Sequence, residues 1–137
     1  MIIDLNADLG EGSDFDAALM PLLSSCNIAC GGHTGDQASM RTALNLAQQH
    51  NVCVGAHPSY PDRAQFGRVV IEIEPSQLQA SLIGQITQLQ RLASEQGTKV
   101  HYVKPHGALY NQAAIDSDLA HLLITTIQQI DPSLALM

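Results

Sequence analysis

The chain has 137 residues, a mass of 14.7 kDa, 45% hydrophobic residues and 14% charged residues. That corresponds to one domain or part of one, with enough apolar surface for a core, and it excludes a disordered tail. A formal net charge of −7 suits neither nucleic-acid phosphates nor anionic lipid, so neither is an expected partner. No run of about 18 apolar residues is present, nor a basic-then-apolar leader. Cys26, Cys30 and Cys53 lack C-x-x-C spacing and read as buried thiols of a cytoplasmic protein.

The apolar run Met1–Leu5 predicts a first strand, and Ala17–Leu23 a short helical segment. Asn27–Cys30 reads as a second strand. Asp36 can cap a helix running to about Gln49, with Met40, Ala43, Leu44 and Ala47 on one face. Val52–Ala56 has the continuous apolar character of a strand buried on both faces. After a long connection, a helix spans about Gln77 to Gln96. Ser76 and Gln79 have capping-box spacing there, and Gly97 stands at the C-cap. Val100–Val103 is a fourth strand and Ser117–Ile130 a helix stopped by Asp131-Pro132; Ser133–Met137 begins a fifth strand. Repeated β-α order implies parallel strands with helices outside. Both a doubly wound sheet and a (β/α) barrel fit that order. A chain stopping inside an apolar strand is expected to be a single barrel domain, residues 1–137, truncated within the fifth strand.

Polar residues gather where these strands end, the side on which parallel α/β folds bind ligands. The first strand leads into Asn6-Ala7-Asp8-Leu9-Gly10-Glu11-Gly12, the second into Gly31-Gly32-His33-Thr34-Gly35-Asp36, the third into His57-Pro58-Ser59-Tyr60-Pro61-Asp62-Arg63, and the fourth into Lys104-Pro105-His106-Gly107-Ala108-Leu109-Tyr110-Asn111. Histidine thus follows three consecutive strands, with a carboxylate after the first. Such a set can hold a divalent metal with an open position for water, or bind substrate and move protons without metal. Asp8 is a candidate metal ligand or general base, or the side chain of an Asx-turn. Glu11, between glycines, either approaches a ligand or marks a turn. Lys104 needs an anionic partner, a substrate carboxylate or phosphoryl group or Asp8. Arg63 and Arg68 are candidates for a substrate carboxylate or for solvent. Tyr60 and Tyr110 line the pocket or pack with satisfied hydroxyls. No Walker loop and no G-x-S-x-G elbow occurs.

Four phrases in order resemble the LamB/YcsF family: Asp4-Leu5-Asn6-Ala7-Asp8-Leu9-Gly10-Glu11; Asn27-Ile28-Ala29-Cys30-Gly31-Gly32-His33; Gly55-Ala56-His57-Pro58-Ser59-Tyr60-Pro61-Asp62-Arg63 with Phe66-Gly67-Arg68; and Val103-Lys104-Pro105-His106-Gly107-Ala108-Leu109-Tyr110-Asn111. The resemblance implies an irregular TIM-like (β/α) barrel, similar to the glycoside hydrolase/deacetylase fold, of which this chain is the N-terminal part. It implies the A-subunit of an ATP-dependent 5-oxoprolinase, a hydrolase cleaving the C–N bond of 5-oxo-L-proline to give L-glutamate at the expense of ATP. Two further subunits would be partners and would bind or use the ATP; a homo-oligomer is also open. On this reading Asp8, Glu11, His33, His57, Lys104 and His106 are catalytic. Asp8 or a histidine would be the base, His106 the acid, and Lys104 would offset oxyanion or phosphoryl charge. Asn6, Tyr60, Arg63, Arg68 and Tyr110 would contact substrate. The looser similarity to metal-dependent carbohydrate deacetylases implies a divalent metal on Asp8, His57 and His106. The competing functions are a stand-alone metal-dependent deacetylase or amidohydrolase, and a non-catalytic assembly component.

Overall fold

The computed structural model describes residues 3–137. Five strands, β1 (Asn6–Leu9), β2 (Ser25–Ala29), β3 (Cys53–His57), β4 (Val100–Val103) and β5 (Ala135–Leu136), pair in parallel in the order β1-β2-β3-β4-β5. A short helix α1 (Asp16–Leu19) and a 3-10 turn (Met20–Leu22) join β1 to β2. Helix α2 (Gln37–His50) joins β2 to β3, and α3 (Pro75–Glu95) joins β3 to β4. Helices α4 (Gly107–Ala113) and α5 (Ser117–Ile130) join β4 to β5.

All the long helices cover one face of the sheet. Leu9, Cys26, Ile28, Val54, Ala56 and Val103 from the strands share a core with Met40 and Leu44 of α2, Ile86 and Leu89 of α3, and Ile127 of α5. Burying each large side chain contributes about 1.5–3 kcal/mol. Strand order that runs without reversal, with a single helical layer, is the winding of a (β/α) barrel; a doubly wound sheet reverses its order and carries helices on both faces. A second cluster, Tyr60, Leu78, Leu82, Leu109 and Leu123, ties α3, α4 and α5 to the loop after β3.

The opposite face is polar. Side chains alternate across a strand, so Asn6 and Asp8, Ser25 and Asn27, Gly55 and His57, and Tyr102 share it. The Tyr102 hydroxyl donates to the Cys26 carbonyl at 3.0 Å and accepts from Asn6 Nδ2 at 2.9 Å. Its ring crosses Gly55 so closely that a Cβ there has no room. A register shift between Val54 and Gly55 lets β4 reach that position.

Local chemistry explains the helix boundaries. The Asp36 carboxylate accepts from the Ser39 amide while the Ser39 hydroxyl accepts from the Asp36 amide, and left-handed Asn51 closes α2. Asp116 caps α5. At the end of α3, Gly97 (φ +73°) and Thr98 donate to the Ser94 and Ala93 carbonyls, a Schellman closure. The expected Ser76–Gln79 capping box is not formed. Pro75, preset for a first turn, starts α3 earlier, after an extended Glu74.

Two further expectations need correction. The first strand is Asn6–Leu9; Met1 and Ile2 of the expected Met1–Leu5 strand lie outside the described residues. The Leu5 carbonyl accepts from Ser24 and Ser25, and the parallel ladder begins only at Asn6↔Ser25. Asn6 and Asp8 are therefore strand residues facing the polar side rather than loop residues. In addition, Gly107–Asn111, expected to belong to the loop after the fourth strand, lie in helix α4. Among the described residues no helix is long and apolar enough to cross a membrane.

Candidate active site

The carboxyl ends of β1 to β4 bring six of the expected residues together. His57 closes β3, and its Nδ1 donates to the Lys104 carbonyl at 2.6 Å. A carbonyl only accepts, so His57 Nδ1 carries a hydrogen and Nε2 faces inward. His106 Nε2 likewise donates to the Phe66 carbonyl at 3.0 Å, which turns Nδ1 toward His57 Nε2, also at 3.0 Å. His33, from the loop after β2, lies flat on His106 with centroids 3.7 Å apart and places Nε2 3.0 Å from Glu11 Oε1. That same Glu11 oxygen is 3.8 Å from His57 Nε2 and 3.7 Å from His106 Nδ1. Asp8 Oδ2 approaches His57 Nε2 at 3.3 Å, and Asp8 Oδ1 accepts from Lys104 Nζ at 2.9 Å and Asn27 Nδ2 at 2.7 Å.

Burial is graded across the site. The His33 and His57 side chains are fully buried, while Glu11, Lys104 and Asp8 are 21%, 25% and 35% exposed. The histidines thus form a dry floor, and the carboxylates and the ammonium face the opening.

The loops must follow unusual paths to build this floor. Phe66 and Gly67 both take left-handed backbone, at φ +54° and +63°. A Cβ on Gly67 would stand 2.9 Å from His33 Cβ, 3.2 Å from His106 Cδ2 and 3.3 Å from Ser59 Cβ. The Phe66 ring stands edge-on to His33 and His106. Gly107, also left-handed, comes so close to the Gly67 carbonyl that no side chain fits, and Ala108 donates to that carbonyl at 2.9 Å.

Charge follows the geometry. Burial opposes ionisation of Asp8, but hydrogen bonding and charge from His57, with hydrogen bonds from Lys104 and Asn27, outweigh it and hold the carboxyl far below the usual carboxylate range. Burial likewise opposes ionisation of Glu11, and His33, His106 and His57 reverse it, so that its pKa falls. Burial, then the charges of His33 and His57, push His106 down to about 4. Asp8 and Glu11 are therefore anionic and His106 is neutral at pH 7.

Residues 3–137 match the LamB/YcsF family along almost their whole length. The chain belongs to the LamB/YcsF family. Proteins named as the A-subunit of 5-oxoprolinase, from Haemophilus influenzae strains PittEE and 86-028NP, are 48% identical over 135 residues, which is 98% of this chain and 55% of each of theirs. A solved structure, the lactam utilization protein of Thermus thermophilus, is 40% identical with a TM-score of 0.95, covering 99% of this chain and 57% of that one. A protein of Enterococcus faecalis V583 named for cellobiose-phosphate cleavage shares the fold, at 12% identity and a TM-score of 0.63, over 96% of this chain and 56% of its own. The chain spans a little over half the length of these relatives.

The remaining expected contacts of this LamB/YcsF chain divide. Asn6 joins the polar network below Asp8, donating to Ser25, Asn27 and Tyr102 and accepting from Asn27. Arg63 donates to the Gly31 and Gly35 carbonyls at 3.0 and 2.9 Å, stitching the loop after β3 to the loop after β2. Tyr60 is buried in the second cluster, with its hydroxyl donating to Gln112 at 2.7 Å, and it lines a groove with Ile71 and Leu78 apart from the histidines. Arg68 lies 5.1 Å over the Phe66 ring, and Tyr110 is exposed on α4. Asn27 and Phe66 were not anticipated. The alternation Ser25-Cys26-Asn27-Ile28 signalled an inward polar residue at 27. Nothing local marked the Phe66 carbonyl as the anchor of His106. Of the expected metal set, His57 Nε2 and His106 Nδ1 lie 3.0 Å apart, and Asp8 Oδ2 is 3.3 Å from His57 Nε2. Among the described residues, the group whose ligand atoms all lie within 4.8 Å of one another is Glu11, His33, His57 and His106.

Proposed function

We propose that this chain supplies the lactam-opening site of an ATP-dependent 5-oxoprolinase, working with two further subunits that use the ATP. The observation that carries the reading is the Asp8 carboxylate held ionised between His57 and Lys104 at the mouth of a buried histidine cluster. The names of the H. influenzae and T. thermophilus relatives, a 5-oxoprolinase component and a lactam utilization protein, supply the substrate class.

A five-membered lactam is resonance-stabilised, and water attacks it poorly. Transfer of the ATP γ-phosphoryl group to the lactam oxygen, on the partner subunits, would make the ring carbon electrophilic. Asp8 then takes a proton from water as the oxygen adds to that carbon. The C–N bond breaks as Asp8 returns the proton to the ring nitrogen, leaving a γ-glutamyl phosphate whose acyl-phosphate bond a second water hydrolyses to L-glutamate and inorganic phosphate. Lys104, 2.9 Å from Asp8, offsets charge developing on the carbonyl or phosphoryl oxygen. His106 is neutral at pH 7 because its pKa is depressed to about 4; it is therefore assigned to the floor of the site, and the acid role passes to Asp8. Arg68 and Tyr110 are the proposed substrate-side contacts. Arg63 and Tyr60 support the loops.

The test is glutamate release from 5-oxoproline and ATP by the complete protein mixed with its partner subunits. Asp8→Asn keeps the size and the Asn27 contact, so the fold persists. Turnover is expected to fall at least about 100-fold, the lower end of general-base contributions. Near-normal turnover by Asp8→Asn overturns the assignment. A metal-dependent amidohydrolase is the second reading, favoured by the four convergent donors. Chelator-sensitive amide hydrolysis without ATP or partners would establish it in place of the first.

A further inference from the structure

Three contacts converge on the two facing histidines of the floor, one more than a single hydrogen on each ring can fill. Three contacts run through the two rings: His57 Nδ1 to the Lys104 carbonyl at 2.6 Å, His57 Nε2 to His106 Nδ1 at 3.0 Å, and His106 Nε2 to the Phe66 carbonyl at 3.0 Å. Each needs one hydrogen. With one hydrogen on each ring, every choice of tautomers leaves at least one pair of acceptors face to face. A third proton placed between the rings does not resolve the site. His57 Nε2 is also 3.3 Å from Asp8 Oδ2 and 3.8 Å from Glu11 Oε1, and His106 Nδ1 is 3.7 Å from the same Glu11 oxygen. One N–H cannot serve three acceptors. A cation held between His57 Nε2, His106 Nδ1 and Glu11 Oε1 takes a lone pair from each, while Asp8 keeps its Lys104 and Asn27 partners.

We infer that His57 Nε2, His106 Nδ1 and Glu11 Oε1 form a three-ligand site for a divalent transition-metal ion of the zinc class, with a fourth position open beside Asp8 and Lys104. The inference deepens the reading above, resting on the same strand-end cluster being the working site. The donor separations are 3.0, 3.7 and 3.8 Å. A tetrahedral ion with bonds of about 2.0–2.1 Å requires separations of about 3.3–3.4 Å, so movements of a few tenths of an ångström complete the geometry. The His57 and His106 rings stand at 89° to each other, and their in-plane lone pairs can meet at one point. The Lys104 and Phe66 carbonyls that fix their tautomers are the outer-shell partners that metal-bound histidines ordinarily have.

His33 is the fourth nearby donor and is a positioning residue rather than a ligand. Its ring is parallel to His106 within 3° at a centroid distance of 3.7 Å. Lone pairs in two parallel stacked planes cannot both point at one ion. His33 Nε2–H instead donates to Glu11 Oε1 and aims that carboxylate. Two histidines and one glutamate leave room for water or a substrate oxygen, as catalytic rather than structural sites do. Asp8, on the open side, then faces whatever occupies that position.

The experiment uses the full-length protein, stripped with chelator and reloaded with zinc or cobalt(II). Metal content by elemental analysis and the cobalt absorption spectrum are the readouts. One equivalent per chain is expected, with cobalt ligand-field bands of a four- or five-coordinate ion. Glu11→Gln and His106→Asn should each lose that equivalent. His33→Gln, which can still donate to Glu11, should retain it, and His33→Leu should bind about 10–100-fold more weakly. His121→Asn, on an exposed helix face, should bind as wild type does. Less than about 0.1 equivalent after reloading, or an equivalent unaffected by Glu11→Gln and His106→Asn in protein that melts normally, overturns the inference. Glutamate formation by protein that takes up no metal on reloading would overturn the metal site and leave the 5-oxoprolinase reading standing. Stoichiometric metal without any lactam opening would do the reverse.

Discussion

Replacing Gly67 by alanine tests how the histidine floor is held. The new methyl group would stand 2.9 Å from His33 Cβ and 3.2 Å from His106 Cδ2, at φ +63°. Left-handed backbone costs a non-glycine residue about 1–2 kcal/mol, and forcing a methyl group into a filled site adds about 1–3 kcal/mol. The contacts are backbone-near Cβ atoms and a ring carbon rather than flexible chain ends, so little relief is available. A net destabilisation of about 2–5 kcal/mol follows. With a urea slope of about 2 kcal/mol per M, the unfolding midpoint should drop by about 1–2.5 M. The same change at Gly84 is the control: it lies inside α3 with nothing within 4 Å of its Cβ. There alanine should stabilise by about 0.5–1 kcal/mol, since it removes glycine's helix penalty. Denaturation of the full-length variants, followed by circular dichroism, reads both. Equal midpoints for Gly67→Ala and wild type would refute the claim that the loop is packed against the imidazoles.

Two further outcomes follow from the titrating groups. In metal-free protein the folded-state pKa of His106 is depressed from 6.5 to about 4, so between those values the unfolded chain binds more protons. The stability this neutral histidine contributes is complete above about pH 6.5 and is lost as pH falls toward 4. Asp8 and Glu11, both depressed, add a loss below their ordinary values. Urea midpoints should therefore fall steadily from about pH 7 to about pH 5, and a flat profile would contradict the buried, neutral assignment. Burial pushes the Cys26 and Cys30 thiols up to about 12, and Cys53 is raised but partly open to solvent. Iodoacetamide at about pH 8 should mark Cys53 first and reach the other two only after denaturation, by peptide mass spectrometry; early labelling of Cys30 would show that the strand face opens readily.

Much of the architecture is legible locally. The Asp36 cap, Ser117–Ile130 with its Asp131-Pro132 stop, Gly97 at the end of α3 and the apolar run Val100–Val103 all follow from forces acting within a few residues. The placement of histidine after three successive strands follows too, because parallel strands put those loops at one end. The start of β1 is not local: β2 decides it by offering its first ladder partner at Ser25. Helix α4 is hidden because it is short, begins at glycine and depends on the Gly67 carbonyl for its approach.

The order of residues is enough to establish a parallel α/β chain of the LamB/YcsF family, with Asp8, Glu11, His33, His57, Lys104 and His106 at the strand ends. Their roles emerge only in the folded arrangement. Asp8 meets Lys104 and His57, Glu11 meets all three histidines, Arg63 binds backbone carbonyls, and the Tyr60 hydroxyl turns to Gln112. The difference is one of range. Helix caps and strand periods are set by neighbours in the chain. The direction of a ring nitrogen or a carboxylate oxygen is set by carbonyls 40 and 47 residues away, which no local pattern encodes.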